Sequence, residues 1–186
     1  MPDFLQTSPL YQLSDVRRNK AMLPTDRGVY GFYFGMAPGI APIDGAFCRG
    51  KLSLLYIGTA GADRARRGTL RNRLGQNHLG GNERRSTICL TLASLLPDVA
   101  GPSVLRIEKG KAKFHTSPQG AARLRNWMDE NIYACWITDP RPAEAEQDLV
   151  KSYRTPLNID FSTHPFAPTL SELRNNRRAA ARALTA

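Results

Sequence analysis

Two short motifs place tyrosine close to glycine in the first third of the chain. Gly28-Val29-Tyr30 and Tyr56-Ile57-Gly58 each lie within an apolar, aromatic-rich run typical of a β-strand. The two phenols, Tyr30 and Tyr56, are therefore expected on neighbouring strands. A phenol has a pKa of about 10, so it is a poor base at neutral pH unless a nearby cation favours the phenolate.

Four other side chains could complete a site that hydrolyses a phosphodiester bond. This reaction needs a positioned water, a proton acceptor, a cation on the phosphate and usually a metal ion near the leaving oxygen. Glu146 offers an oxygen ligand suited to Mg²⁺, and Arg73 could bind the phosphate through its planar fork while favouring the phenolates. His78 could carry a proton near neutral pH. Asn158 could hydrogen-bond the loops that hold the site together.

Apolar patterns and turn residues predict the elements that position these groups. The first half should contain an N-terminal helix near residues 11–22, two antiparallel strands at 28–34 and 52–57, and helices at about 70–80 and 86–97. The second half should contain a short strand at 104–107, a helix at 120–130, a strand at 131–138 and helices at 142–153 and 170–184. The expected fold is α+β, with a small, mostly antiparallel three-stranded sheet flanked by helices.

The helix predicted at 142–153 should direct Glu146 towards the sheet. Leu149, Val150 and Tyr153 follow Glu146 at helical spacings of three, four and seven residues, so all four share one face. A partly buried carboxylate is costly without a partner, so we expect a metal ion or Arg73 beside it.

The net charge of +10 over 186 residues makes a polyanion a natural partner. The expected nucleic-acid contacts are Arg84, Arg85, Lys109, Lys111 and Lys113. Such contacts bind mostly phosphates, which position a nucleic acid without reading its sequence. The basic tail could be an arm for DNA or an ordinary capping helix, and the sequence leaves both readings open.

Composition predicts a protein of the cytoplasm. The chain has no apolar run of membrane-spanning length and no secretory signal pattern at its start. Its three cysteines are far apart, which favours reduced thiols over a disulfide framework or a zinc site.

The motifs and their order resemble the GIY-YIG nuclease superfamily. Gly28-Val29-Tyr30 and Tyr56-Ile57-Gly58 match the two signatures. The other matching positions are the family arginine at Arg73, the metal-binding glutamate at Glu146 and the asparagine at Asn158. The resemblance covers residues 28–158 and implies a domain over 28–160, preceded by an N-terminal arm at 1–27 and followed by a basic helical tail at 161–186. It also implies an insertion, expected to be helical, at about 79–130.

The resemblance implies cleavage of DNA with one divalent ion, Mg²⁺ or Mn²⁺, and a tyrosine-assisted water as nucleophile. Many members carry histidine or tyrosine four residues after the arginine, where this chain has Asn77, and His78 follows at five. On an ideal α-helix an i, i+5 residue points about 140° away, so His78 fits only if the helix ends or unwinds before Gly80.

Several alternatives remain open from the sequence. Arg66, Arg67 and Arg71 compete with Arg73, and Glu144 competes with Glu146. A nucleic-acid-binding protein that kept the fold without turnover is the alternative function, and a structured RNA is a third option. The sequence does not indicate the form of the DNA substrate, its recognition site or the oligomeric state.

Overall fold

A computed structural model of the chain describes residues 4–62, 68–108 and 110–184. The strands are β1 Tyr11–Gln12, β2 Gly28–Phe34, β3 Cys48–Arg49, β4 Leu52–Ala60, β5 Ser103–Glu108, β6 Lys111–Thr116 and β7 Ile132–Thr138. The helices are α1 Phe4–Thr7, α2 Leu13–Arg18, α3 Leu70–Asn72, α4 Thr87–Leu95, α5 Pro97–Ala100, α6 Pro118–Asn131, α7 Pro142–Tyr153 and α8 Ala167–Ala183. A short 3-10 helix covers Lys20–Met22, and a π-helical turn covers Arg73–His78.

The main sheet is antiparallel and has five strands in the order β1-β7-β2-β4-β3. The α+β class is confirmed, whereas the expectation of three strands was wrong. The central strands β7, β2 and β4 are three of the four strands that the sequence predicts; the fourth, at 104–107, falls within β5 and outside this sheet. The two additional strands, β1 and β3, contain two residues each, which is too short to produce an alternating pattern.

The segment expected to be a helical insertion contains β5, where the sequence predicts a strand at 104–107, and a second strand, β6, which the sequence did not predict. Between helices α5 and α6 the chain forms an antiparallel hairpin of β5 and β6, separate from the main sheet. Gly110 lies at its turn with φ +72°, a conformation that glycine adopts without strain. Lys111 and Lys113 therefore lie on a strand, whereas Lys109 falls outside the described residues.

Both faces of the sheet are covered, so every residue of β2 is buried. On one face, Tyr30 and Phe32 belong to a core shared with α4 and α6. On the other, Val29 and Tyr33 pack in a smaller cluster that includes Val150 of α7. In the described ranges, no helix is both long and apolar enough to cross a membrane. All three cysteines are thiols outside any disulfide; Cys89 and Cys135 are buried and Cys48 is exposed.

The register of β2 against β4 explains why the second motif ends in glycine. Tyr30 lies opposite Gly58, and Phe32 lies opposite Tyr56, so both phenols project from the same face. A Cβ atom at residue 58 would lie 2.5 Å from Cζ of Tyr30 and closer still to its hydroxyl oxygen. The missing side chain of Gly58 therefore provides the space that the ring of Tyr30 occupies.

We expect Gly58→Ala to displace Tyr30 and to lower the free energy of unfolding by about 1–3 kcal/mol through overpacking. Gly35→Ala is the matched control, because a Cβ atom there would approach its nearest neighbour, Leu52 Cδ2, only to 3.7 Å. Urea unfolding of both variants measures the difference. Equal stabilities for the two variants would contradict the close packing of Tyr30 on Gly58.

Candidate active site

A pocket of about 210 Å³ lies at the edge of β4. Its lining side chains come from several elements: Tyr56 and Thr59 of β4, Arg73 of the π turn, Thr87 of α4, Glu146 of α7, Arg174 of α8, and Asn158 and Asp160 of the segment after α7. Successive residues of a strand alternate between faces, so Tyr56 and Thr59 lie on opposite faces and the pocket wraps around the strand edge. Four of the six side chains that the sequence singles out thus line one pocket.

The other two, Tyr30 and His78, lie behind the pocket and are fully buried. The hydroxyl of Tyr30 shares a 2.5 Å hydrogen bond with Nε2 of His78. The opposite ring nitrogen, Nδ1, shares a 2.6 Å hydrogen bond with Oγ of Ser86, the residue that caps α4. Tyr56 is adjacent to Tyr30, with ring centroids 6.4 Å apart. A line of hydroxyl and imidazole groups therefore leads inward from the pocket.

The π-helical turn explains how His78 reaches Tyr30. In a π-helix, hydrogen bonds join residues five apart, and here the N–H of Leu79 donates to the carbonyl of Leu74 at 3.2 Å. Residues i and i+5 are thereby one turn apart on the same side, so Arg73 and His78 both face the two tyrosines. Asn77 is partly exposed and does not line the pocket. The 140° offset of an ideal α-helix does not apply to this turn.

Asn158 holds the edge of β4 rather than facing a reacting group. Its Nδ2 donates to the carbonyl of Ile57 at 2.8 Å, and its Oδ1 accepts from the N–H of Ile57 at 3.0 Å. These two bonds imitate the pairing of a neighbouring strand. The hydroxyl of Thr155 donates to the same oxygen at 2.8 Å. Asn158 is therefore a positioning residue that fixes the backbone next to Tyr56.

Burial determines the protonation of both phenols. It raises the pKa of Tyr56 to about 12, with a further rise from the charge of Glu146, and Arg73 only partly opposes this. Burial also raises the pKa of Tyr30 well above its ordinary value. The expected stabilisation of phenolates by Arg73 is thus outweighed by desolvation. Both hydroxyl groups keep their protons at neutral pH.

The imidazole of His78 is neutral at the same pH. Burial, and to a lesser extent the positive charge of Arg73, lowers its pKa well below the ordinary value. A neutral imidazole has one ring nitrogen that can accept a proton. The neutral imidazole of His78, behind the two phenols, thus has one nitrogen able to accept a proton.

Arg73 remains charged and has a donor to spare. The effect of burial on its pKa is outweighed by Tyr30, Tyr56 and Glu146, so the pKa is raised. Among the described residues, its buried Nε has no hydrogen-bond partner. A buried N–H without an acceptor is costly, which is the state expected of a group that binds a ligand oxygen.

Glu146 and Asp160 are the two carboxylates at the pocket. Burial raises the pKa of Glu146 to about 7; Arg73 lowers it and Asp160 raises it. Within the part of the chain that is described, no group of three or more His, Cys, Asp or Glu could hold a metal ion. Mg²⁺ keeps most of its water and needs only one or two protein carboxylates. Glu146, whose negative charge Arg73 offsets only in part, fits that requirement.

The competing candidates lie elsewhere. Glu144 is exposed and pairs with Arg141. The guanidinium of Arg71 donates to the carbonyls of Leu23 and Ala21, which is a structural role. Arg66 and Arg67 fall outside the described residues.

Of the predicted nucleic-acid contacts, the four that the structure describes do not line this pocket. Arg84 pairs with Glu108, and Arg85 and Lys111 are exposed. Lys113 lines a second, basic pocket with Arg178 and Arg182 of α8.

Arg174 is the main pocket residue that the sequence did not indicate as part of the site. Its signal lies in the pattern of α8, where Leu170, Arg174 and Ala181 are buried at spacings of four and seven residues. An arginine within the apolar stripe of a helix is unusual. In the sequence it is indistinguishable from the other positive charges of a basic tail, because the stripe is evident only when α8 is packed.

The raised pKa of Glu146 predicts a pH-dependent stability effect in metal-free buffer. The folded state holds this proton more tightly than the unfolded state, so stability falls as pH rises from about 4.5 to about 7. Glu146→Gln removes this dependence. It should raise the free energy of unfolding at pH 8 by about 2 kcal/mol and change it little at pH 4.

Glu144→Gln, at an exposed position on the same helix, is the control and should change stability little at either pH. Denaturant unfolding at the two pH values gives both differences. A Glu146→Gln variant that is less stable than wild type at pH 8 would contradict the burial of an uncompensated carboxylate.

Comparison with known families identifies one matching family. The family model of the GIY-YIG catalytic domain matches residues 45–177, a range that includes the whole lining of the pocket and His78 but begins after β2 and Tyr30. Comparison with curated proteins and with solved structures gives no significant match. The matched range covers more than half of the chain, so the chain belongs to the GIY-YIG nuclease superfamily.

Proposed function

We propose that this protein is a metal-dependent DNA endonuclease that hydrolyses phosphodiester bonds in the pocket at the edge of β4. The observation that carries the proposal is the convergence of Tyr56, Arg73 and Glu146 on one pocket. Together they can hydrogen-bond an attacking water, place a cation on the phosphate and hold a metal ion, which phosphodiester hydrolysis needs. The catalytic domain would span residues 28–160, and α8, which follows it, would add Arg174 to the pocket.

Arg73 binds the scissile phosphate in this proposal. Its buried Nε lacks a partner among the described residues, so a phosphate oxygen would supply the missing acceptor. The planar guanidinium can donate two parallel hydrogen bonds to phosphate. These bonds strengthen as negative charge develops on the phosphate oxygens in the transition state.

Tyr56 positions the attacking water. As the water oxygen bonds to phosphorus and the bond to the leaving oxygen breaks, the water proton passes to the hydroxyl of Tyr56. The proton of Tyr56 moves on to Tyr30, and that of Tyr30 moves to His78 Nε2, which lies 2.5 Å from the Tyr30 oxygen. The leaving oxygen takes a proton from solvent. A neutral His78 is required for this transfer, in keeping with its lowered pKa.

Glu146 would hold the divalent cation, Mg²⁺ or Mn²⁺, with Asp160 as the second carboxylate at the pocket. When bound, the cation supplies positive charge to the phosphate and the leaving oxygen. Asn158 keeps Tyr56 in place through the backbone of Ile57.

The basic pocket beside the hairpin is the proposed path of the DNA backbone away from the site. It combines Lys113 of β6 with Arg178 and Arg182 of α8, the helix that also contributes Arg174 to the catalytic pocket. Arg85 and Lys111 are exposed and could add phosphate contacts, whereas Arg84 is already paired with Glu108.

Cleavage and its dependence on Tyr56 can be tested together. The wild-type protein, incubated with single-stranded, duplex and branched DNA, should cleave at least one substrate with Mg²⁺ and none with chelator. Tyr56→Phe keeps the ring and removes the hydroxyl, so it should slow cleavage by about 10²- to 10⁴-fold without weakening DNA binding. Tyr133→Phe, on β7 and outside the pocket, is the control. Metal-independent DNA binding without cleavage would favour the non-catalytic alternative.

Metal binding at Glu146 can be tested without substrate. A ligand that binds only the folded state raises the melting temperature, so Mn²⁺ should stabilise the wild type and Glu144→Gln alike. Glu146→Gln should lose this stabilisation while keeping DNA affinity, because it removes a metal ligand and leaves the basic surface intact. An equal rise in melting temperature for all three proteins would refute the role of Glu146.

A further inference from the structure

Two buried arginines of α8, nearly one turn apart, have different partners. Arg177 donates from Nε to the carboxylate of Glu83 at 2.8 Å and from Nη1 to the carbonyls of Ala93 and Gly101. The side chains of Arg177 and Glu83 are 7% and 1% exposed. Arg177 is therefore a structural arginine whose charge is neutralised within the protein.

Arg174 is also buried, at 9% exposure, but its partner is neutral. Its Nε donates to Oγ1 of Thr91 at 3.0 Å, and its Nη2 donates to the same oxygen. The hydroxyl of Thr91 in turn donates to the carbonyl of Thr87 at 3.0 Å. In the ranges that the structure describes, no carboxylate lies within ion-pair distance of Arg174. The guanidinium is thus held in place without being neutralised.

The charge of Arg174 is under-compensated. Burial lowers its pKa more than Tyr56 raises it; the neighbouring charge of Arg178 lowers the pKa further, and Asp160 opposes this least. A buried cation without an anion is costly, and such groups occur preferentially at functional sites. An anion that entered the site from solvent would supply the missing charge.

The position of Arg174 indicates which anion this is. Its side chain lines the same pocket as Tyr56, Arg73 and Glu146. Arg73 likewise has a buried donor without a partner among the described residues. Two guanidinium groups from separate elements therefore face one small pocket, and their planar forks suit the oxygens of a phosphate.

We infer that Arg174 is a second phosphate-binding residue of the active site, which binds the scissile phosphate together with Arg73. This inference rests on the proposed function. It makes α8, the C-terminal helix, part of the catalytic pocket, and Thr91 the residue that orients the second guanidinium. Arg174 would neutralise charge on the phosphate that a single arginine leaves uncompensated.

Stability distinguishes this role from a structural one. Replacing Arg174 with methionine leaves no buried carboxylate behind, so Arg174→Met should melt at or above the temperature of the wild type. Arg177→Met leaves Glu83 buried without its partner and should melt at a clearly lower temperature. A structural Arg174 would instead give a similar fall in both variants.

Single-turnover cleavage of a DNA substrate that the wild type cuts tests the inference directly. Arg174→Met should slow cleavage by about 10²- to 10³-fold. Arg18→Met should cleave normally; it makes the same change in net charge at a side chain that is 78% exposed. If Arg174→Met does not fold, Arg174→Lys keeps the charge without the planar fork and should slow cleavage at least tenfold. Cleavage at the wild-type rate in the folded variant overturns the inference and leaves the proposed function intact.

Inorganic phosphate provides a second measurement that does not depend on cleavage. Phosphate should raise the melting temperature of the wild type and of Arg18→Met, and the rise in Arg174→Met should be less than half as large. An equal rise in all three proteins overturns the inference. If the wild type cleaves no DNA, the proposed function fails, and this measurement still decides whether Arg174 binds phosphate.

Discussion

The register of β2 against β4 is the constraint on which the rest of the site depends. It places Tyr30 opposite Gly58, where the missing side chain makes room for the phenol ring, and directs Tyr56 from the same face. A shift of one residue would turn the phenols to opposite faces of the sheet. Asn158 then pairs with the backbone of Ile57 and keeps the edge of β4 from moving. One packed unit therefore contains the glycine of the second motif, the two motif tyrosines and Asn158, which is distant in sequence.

Desolvation sets the chemistry of this unit more than any single charge does. Burial keeps the phenols protonated in spite of Arg73, keeps His78 neutral, and raises the pKa of Glu146 to about 7. The charged form of each group would be more stable in water, so an ionised Glu146 is held at a cost in free energy. Arg174 follows the same rule, since its charge faces a hydroxyl where Arg177 faces a carboxylate. The side chains whose charged forms are not fully compensated are thus concentrated around one pocket.

The sequence predicted the elements that carry strong patterns. Strand β2 and helix α7 agree with the predicted ranges, because an aromatic, β-branched run and a proline-started amphipathic helix are unambiguous signals. The edge strands β1 and β3 were missed because two residues give no periodicity. The sequence could not decide whether Asn77 or His78 takes the family position after the arginine. The α-helical spacing used for that comparison does not hold here, because Arg73–His78 forms a π turn. The place of Arg174 depends on how α8 packs, which local sequence does not encode.

The central claim is that Tyr56, Arg73 and Glu146 form one pocket able to hold a cation beside a phosphate. The most direct test is anomalous X-ray scattering from crystals of the wild type and of Glu146→Gln soaked with Mn²⁺. Our account predicts one strong peak beside the Glu146 carboxylate, on the side of the pocket that Tyr56 and Arg73 share, and its loss in the variant. A Glu146 side chain turned away from that pocket, or a peak that persists in Glu146→Gln, would contradict it.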